Sequence, residues 1–361
     1  METVILSQAT DIMQATLQDY VKKLPAMTFL YQSYGSFNRL WQGRVKIEGG
    51  KKVERYITLH DEGNAKHRGN WEEDTHNVLN IDETITANWV TASSNLSWNL
   101  VEASINSGAA QIYDVIANKY RNALREMIDE VYEAMWRTPT SSTDKLNPFG
   151  LPGWITTGTD DSTGGFTGYT GNYQGSSSTF NVGGLTSSSS TNARWANWYA
   201  DHNGALDETL WTLLDRAFRQ VHFEAPIVPK TINGTMQADK YTVFSNDNVI
   251  GNLNMLAAKS DDQVGYRIDS HFGTPTFRGV PLMYVDILNT ASTYTYGTDP
   301  IIGVNSDLFY PIVLSGWDFK ISKPRPRDQQ HLVLTVDMDL VYTYIMETRR
   351  YGGWLINQYG G

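Results

Sequence analysis

The stretch AAQIYDVIANKYRNALREMIDEVYEAMW, residues 109–136, decides how the rest of the chain is read. Ala109, Ile112, Tyr113, Ile116, Ala123, Leu124, Met127, Ile128, Val131 and Met135 fall on one stripe at helical spacing, which predicts the longest helix of the chain. Lys119, Arg121, Arg125, Glu126, Asp129 and Glu130 occupy the other face, with Arg125 and Asp129 four residues apart and able to pair. Far along the chain, His331 to Ile345 alternates just as regularly. Leu332, Leu334, Val336, Met338, Leu340, Tyr342 and Tyr344 share one face, which predicts a long, half-buried strand.

Ahead of the helix, Thr10 to Leu24 reads as a short amphipathic arm, with Ile12, Met13, Leu17, Tyr20, Val21 and Leu24 at helical spacing before Pro25. The aromatic run Phe29, Tyr31, Tyr34, Phe37 and Trp41, broken by Gly, Ser and Asn, reads as extended chain whose rings need cover. From Gly43 to Val90 the pattern is that of strands. Arg44–Glu48 alternates, Gly49-Gly50 turns, Val53–Leu59 continues to a polar tip at His60–Asn77, and Val78–Ala87 returns. A bare hairpin of this length is marginal in water, so it is expected to lie on another surface, such as a neighbouring subunit.

Beyond the helix, Gly, Ser and Thr fill 25 of the 37 positions from Thr156 to Asn192, a loop composition. Phe166, Tyr169, Tyr173 and Phe180 recur in it, so part of it is expected to pack down. Leu206–Val221 carries a helical stripe, and a second helix is expected near Asn246–Ala258, capped by Ser245 or Asn246. Strands at Lys240–Phe244 and Val280–Val285 flank that helix, the latter after a Phe277-Arg-Gly turn, which suggests a mixed α+β domain.

Composition narrows the function. The 361 residues suffice for a large core, and 39 Asp and Glu against 29 Lys and Arg give a net charge of -10, which argues against nonspecific nucleic-acid binding. No cysteine is present, so disulfides, thiolate zinc sites and cysteine nucleophiles are excluded, which fits a reducing compartment. No apolar run approaches the length of a membrane span, and Met1–Leu24 lacks the pattern of a secretory signal.

The search for enzymatic chemistry is largely negative: no nucleophile elbow, phosphate loop, dinucleotide fingerprint or His-Glu-x-x-His motif occurs. His60, His67 and His76 share a segment with Asp61, Glu62, Glu72, Glu73 and Asp74, but no compact ligand spacing results, and a polar hairpin tip explains them. Asp337 and Asp339 lie on one strand face and offer two carboxylates for Mg²⁺ or hydrolysis. The simpler reading makes them part of the polar face of that strand. Lys320, Lys323, Arg325, Arg327, Arg349 and Arg350 form basic clusters expected to pair with carboxylates within or between subunits. With no convergent site and several extensions that bury little in their own subunit, the chain reads as part of a large symmetric assembly.

The order of elements resembles the major capsid protein of tailed bacteriophages, the Hong Kong ninety-seven type of shell subunit. The resemblance runs through Thr86-Ala-Asn-Trp-Val-Thr-Ala-Ser to Ile105-Asn-Ser-Gly and the long helix, which look like the extended loop and spine helix. It continues through Phe149-Gly-Leu-Pro-Gly-Trp-Ile, Val182-Gly-Gly-Leu and Arg194-Trp-Ala-Asn-Trp. Leu206–Val221, Tyr241-Thr-Val-Phe-Ser245 and Phe277-Arg-Gly-Val-Pro-Leu resemble the axial domain. Asn305-Ser-Asp-Leu, Gly316-Trp-Asp-Phe and the strand ending near Arg349-Arg350-Tyr351-Gly352-Gly353 resemble the return to the peripheral domain.

What the resemblance implies is an α+β shell fold with an N-terminal arm (1–42), an extended β-hairpin loop (43–98), a peripheral domain with spine helix and Gly/Ser/Thr-rich loop (99–200), an axial domain (201–307) and return strands (308–361). It implies a non-enzymatic subunit that assembles as hexamers and pentamers into an icosahedral phage head around double-stranded DNA, bound without sequence specificity, in the virion after assembly in the host cytoplasm. No cofactor, metal or membrane is expected. A separate scaffolding protein, a portal and a decoration protein are expected partners, the first because the chain starts directly with its arm. The crosslinking Lys of some relatives has no assignable counterpart among Lys46, Lys51 and Lys52. Phe29, Tyr34, Trp41, Trp71, Arg349 and Arg350 are the candidate inter-subunit contacts. An encapsulin-type nanocompartment is the alternative of the same class, and a metal-dependent hydrolase that of another.

Overall fold

The computed structural model describes residues 35–67, 69–70, 76–78, 80–101, 109–159, 162–223, 231–232, 235–236, 240–260, 268–271, 274–290 and 296–358. The arm helix expected at Thr10–Leu24, and Phe29, Tyr34 and Trp71, lie outside them. By contacts the chain divides into two units: residues 1–49, 90–134 and 312–342, and residues 50–89, 135–311 and 343–361.

The first unit is organised by the long strand Gln330–Met346, where alternation from Leu334 to Tyr342 buries Leu334, Val336, Met338, Leu340 and Tyr342. Val90–Asn99 pairs antiparallel with it over ten positions, from Val90 opposite Tyr342 to Asn99 opposite Val333. The same sheet takes in Lys320–Ile321, Arg325–Arg327, Phe309–Leu314 and Val45–Ile47. Val45–Ile47 is a correction to the expected hairpin: it runs parallel to Ile312–Leu314 and does not continue into the excursion. The long helix spans Ala109–Met135, with Ala123, Leu124, Met127, Ile128 and Val131 buried along the expected stripe. Arg125 and Asp129 form the expected pair at 3.8 Å, and Lys119 Nζ donates to Ser97 O at 3.0 Å, tying helix to strand.

The second unit holds an eight-stranded sheet in the order Ile268–His271, Thr274–Phe277, Val280–Tyr284, Tyr241–Ser245, Thr298–Asn305, Gly353–Gln358, Asn197–Asp201, Gly165–Gly168. Strands from the segments expected as 99–200, 201–307 and 308–361 therefore share this one sheet, because the last strand pairs with Thr298–Asn305 on one side and Asn197–Asp201 on the other. Helix Glu208–Gln220 packs Leu210, Leu214, Ala217 and Phe218 into the core built on this sheet, with Val249 and Leu253 of Asp247–Ser260. Its cap is Asp207, which accepts from Thr209 N at 2.9 Å. At the next helix Asn246 Oδ1 accepts from Val249 N at 3.1 Å, so Asn246 is the capping residue. The Phe277-Arg-Gly turn forms as expected, with Arg278 and Gly279 both left-handed (φ 51° and 78°) between two paired strands. The Gly/Ser/Thr-rich stretch does pack down: Gly165–Gly168, Thr170–Asn172 and Thr179–Asn181 are short strands, and Phe180 lies 4.9 Å from Phe149 and 5.0 Å from Tyr173.

One turn carries a pH signature. Asp144 accepts from Thr140 N and Oγ1, Leu146 N and Asn147 Nδ2. Partial burial raises its carboxyl, but these donors, the Asn147 amide foremost, outweigh burial and hold it well below the usual carboxylate range. The folded protein then binds fewer protons here than the unfolded chain, so this turn's contribution is complete above the unfolded carboxylate value of about 4 and is lost as pH falls below it. Asp144→Asn is expected to flatten the acid limb of the unfolding curve relative to wild type; an unchanged limb would contradict this assignment.

Candidate functional site: the assembly surfaces

The two arginines expected at a subunit contact have different fates. Both lie on the short turn of helix Arg349–Gly352, between the long strand and the last strand. Arg349 is 0% exposed and spends its guanidinium inside its own unit. Nε donates to Trp154 O at 2.7 Å, Nη1 to Trp195 O at 2.8 Å and Tyr169 O at 3.1 Å, and Nη2 to Thr156 Oγ1 and Asn197 Oδ1, both at 2.7 Å. Every acceptor is neutral. Burial pushes the guanidinium down to about 9, which leaves it charged at neutral pH. Arg349 is thus corrected from contact candidate to internal tie. Arg350 is half-buried, with its guanidinium 4.0 Å over the Phe166 ring, beside the exposed Tyr351.

Trp41 needs a second correction. Residues 35–41, expected to be extended, form a helix that buries Ser36, Phe37, Leu40 and Trp41. Trp41 is 1% exposed, stacks on Phe37 at 5.0 Å and meets Tyr342 edge-on at 6.0 Å. Its surface is consumed within its own unit and none is left for a neighbour.

The excursion is a two-stranded hairpin, Val53–Thr58 against Asp82–Ala87, from Val53 opposite Ala87 to Thr58 opposite Asp82. Its base is seated on its own chain, since Val53, Ile85 and Ala87 are buried and Ile85 meets the tight turn Val182–Gly184. Gly183 makes that seat possible: its φ is 65°, and a Cβ there would lie 3.3 Å from both Ile85 Cγ2 and Trp154 Cζ3. The opposite face points away, with Glu54 and Thr58 exposed and Tyr56 79% exposed. Toward the tip, Asn64 clamps the two arms: its Nδ2 donates to Asn77 O at 2.9 Å, and Asn77 N donates to its Oδ1 at 2.8 Å. Asp61 pairs with Arg194, whose hydrogen bond and charge hold the Asp61 carboxyl below its ordinary value. Asp61→Asn is expected to speed amide exchange near His60 while leaving the global unfolding midpoint unchanged, because the pair is exposed. Equal exchange in both proteins would remove its role as a tether.

Among the described residues the candidate chemistry does not converge. Asp337 accepts from Arg325, its backbone N–H donates to Ser322 Oγ at 2.8 Å, and Asp339 stands opposite Lys320 in the ladder. Among the described residues no group of three or more His, Cys, Asp or Glu is placed to hold a metal ion. No described helix is long and apolar enough to cross a membrane. Other basic residues are engaged locally: Lys46 pairs with Asp318 at 2.6 Å, and Lys320 sits 4.0 Å over the Trp317 ring.

A feature that sequence did not announce is a polar groove of about 380 Å³ under the turn after Arg325–Arg327. Asn95 and Ser97 of one strand and Thr335 and Asp337 of the long strand line it together with Arg325, Arg327 and Asp328, so two arginines face two carboxylates. The basic residues were visible in sequence, but their position around it follows only from the pairing of Val90–Asn99 with the long strand.

No protein-family model matches the chain, and no curated protein matches it. Solved structures do. The asymmetric unit of the cyanophage A-1(L) capsid matches with a TM-score of 0.62 and 14% identity, covering 90% of this chain and 93% of the other. The capsid of a native GTA particle matches with a TM-score of 0.51 and 9% identity, covering 92% of each chain. The holo-SrpI encapsulin complex from Synechococcus elongatus PCC 7942 matches with a TM-score of 0.44 and 10% identity. The chain has the α+β fold of tailed-phage capsid subunits, the Hong Kong ninety-seven type. That is the fold the sequence resemblance implied.

Proposed function

We propose that this chain is a major capsid protein: a structural subunit that assembles with copies of itself, as hexamers and pentamers, into an icosahedral head enclosing double-stranded DNA in a virion. The observation that carries this reading is a capsid-subunit fold matched over nine-tenths of the chain at a TM-score of 0.62. Physical features support it. The hairpin turns an exposed face outward, and the candidate chemistry is absorbed into structural pairs such as Arg325–Asp337. Assembly is multivalent, so individually weak contacts suffice when each copy meets several neighbours.

The acidic balance of the chain suits a wall that does not grip DNA. A separate scaffolding protein, a portal and a decoration protein complete the proposal, with assembly in the host cytoplasm. Of the named contact residues, the half-buried Arg350 remains a candidate, as do Phe29, Tyr34 and Trp71 from sequence. Co-expression with the neighbouring genes of its locus tests the partners: recovery of closed, DNA-free particles only with one specific gene product identifies the scaffold. Closed particles from this chain alone would show that none is needed.

A further inference from the structure

We propose that a cleft at the foot of the β-hairpin binds a neutral saccharide, a role that goes beyond the shell reading and does not depend on it. The cleft holds about 280 Å³ within the second unit. Thr86 and Asn88 reach it from the end of the hairpin, Ser142 from the turn that Asp144 closes, and Asn181 from the Gly/Ser/Thr-rich stretch. A sugar ring needs an apolar wall for its C–H face and donors and acceptors at its edge for its hydroxyls. The cleft supplies both.

The wall is aromatic. Phe149 and Tyr173 pack against Phe180 with ring centroids at 4.9 and 5.0 Å, and all three line the cleft. Phe149 is fixed in place, because Trp154 Nε1 donates to its carbonyl at 3.1 Å and Gly153 leaves space that a Cβ, 2.8 Å from Phe149 Cβ, would take. The edge is polar and unused. The side chains of Thr86, Asn88 and Ser142 have no hydrogen-bond partner among the described residues, and Asn181 Nδ2 reaches only Thr186 Oγ1, at 3.5 Å. Gly184 keeps this edge open: its φ is 79°, and a Cβ there would stand 3.1 Å from Thr86 Oγ1.

Charge argues against an ionic ligand. Lys52 and Asp144 are the charged residues of the lining and cancel, whereas phosphate recognition gathers several cations. The Asp144 oxygens already accept from Thr140, Leu146 and Asn147, so that carboxylate is not offered to a metal. The volume has room for about one or two sugar rings and not for a folded element.

Saturation-transfer NMR of the purified protein with maltotriose, cellotriose and chitotriose tests the site. At least one is expected to bind with a Kd of about 1 mM or tighter, and equally at low and high salt. Gly184→Asn places a side chain over Thr86 while tolerating the left-handed backbone. Thr86→Val/Asn88→Ala/Asn181→Ala strips the edge. Each variant, qualified as folded by an unfolding midpoint like wild type, is expected to weaken binding at least about tenfold.

No binding by any of the three sugars would overturn the proposal, as would equal binding by wild type and both variants. Binding only of a sulfated oligosaccharide or a double-stranded DNA oligonucleotide, falling as salt rises, would reassign the cleft to an anion and also overturn it. None of these outcomes bears on particle formation, by which the shell reading is judged.

Discussion

Arg349→Met is expected to lower the unfolding free energy by about 4 kcal/mol or more, enough to leave a marginal domain largely unfolded. The reason is the number of groups that depend on one side chain. Trp154 O, Tyr169 O, Trp195 O, Thr156 Oγ1 and Asn197 Oδ1 all accept from the guanidinium, with Tyr169 O shared with Ser187 Oγ and Asn197 Oδ1 with Thr156 N. Met fills similar volume and supplies no donor, so these acceptors lose a partner where water does not reach. Arg349→Lys is expected to recover only a minor part, because three donors on one nitrogen cannot reach acceptors spread around a planar fork. Urea unfolding followed by tryptophan fluorescence measures both. A midpoint in Arg349→Met equal to wild type would mean that the network is dispensable.

Gly303→Val is expected to cost about 3 kcal/mol or more, through overpacking and not through lost bonds. Gly303 stands opposite Trp354 in the ladder, and a Cβ at this position would lie 2.2 Å from both Cε2 and Nε1 of that indole. Trp354 cannot withdraw, since it is fully buried with Phe218 and Phe223 each 5.8 Å away. Gly353 is under the same constraint from Ile155 Cδ1 at 2.3 Å. Gly251→Ala makes the contrast: nothing lies within 4 Å of its added Cβ in helix Asp247–Ser260, so it is expected to stabilise by up to about 1 kcal/mol. Thermal melts of the two variants side by side decide the matter. A Gly303→Val melt within a degree or two of wild type would show that the sheet can open to admit the side chain.

What was legible in the sequence was whatever a one-dimensional period encodes. The long strand was readable because one buried face repeats every second residue from Leu334 to Tyr342, and the long helix because its stripe repeats at the helical period. The helix at 35–41 escaped because Gly35, Ser36 and Asn38 are weak helix formers. Burial of Phe37, Leu40 and Trp41 overrides that propensity. The Val45–Ile47 strand was visible, but its partner at Ile312–Leu314 lies far along the chain, and local pattern carries no information about such a pairing.

Among the site residues, Arg349 was misplaced for a physical reason. Arg is rarely buried, so it reads as surface unless its acceptors are known, and these come from residues 154, 156, 169, 195 and 197. Arg325, Arg327 and Asp337 were each noticed, yet sequence could not place them around one groove. The tether between Asp61 and Arg194, 133 residues apart, carried no local signal at all.

The central claim is that copies of this chain close into a shell. Electron microscopy of the purified protein, alone and after co-expression with the neighbouring genes of its locus, tests it most directly, with light scattering to size the population. The account predicts closed particles or rings of five and six subunits. A uniform monomer under both conditions would contradict it.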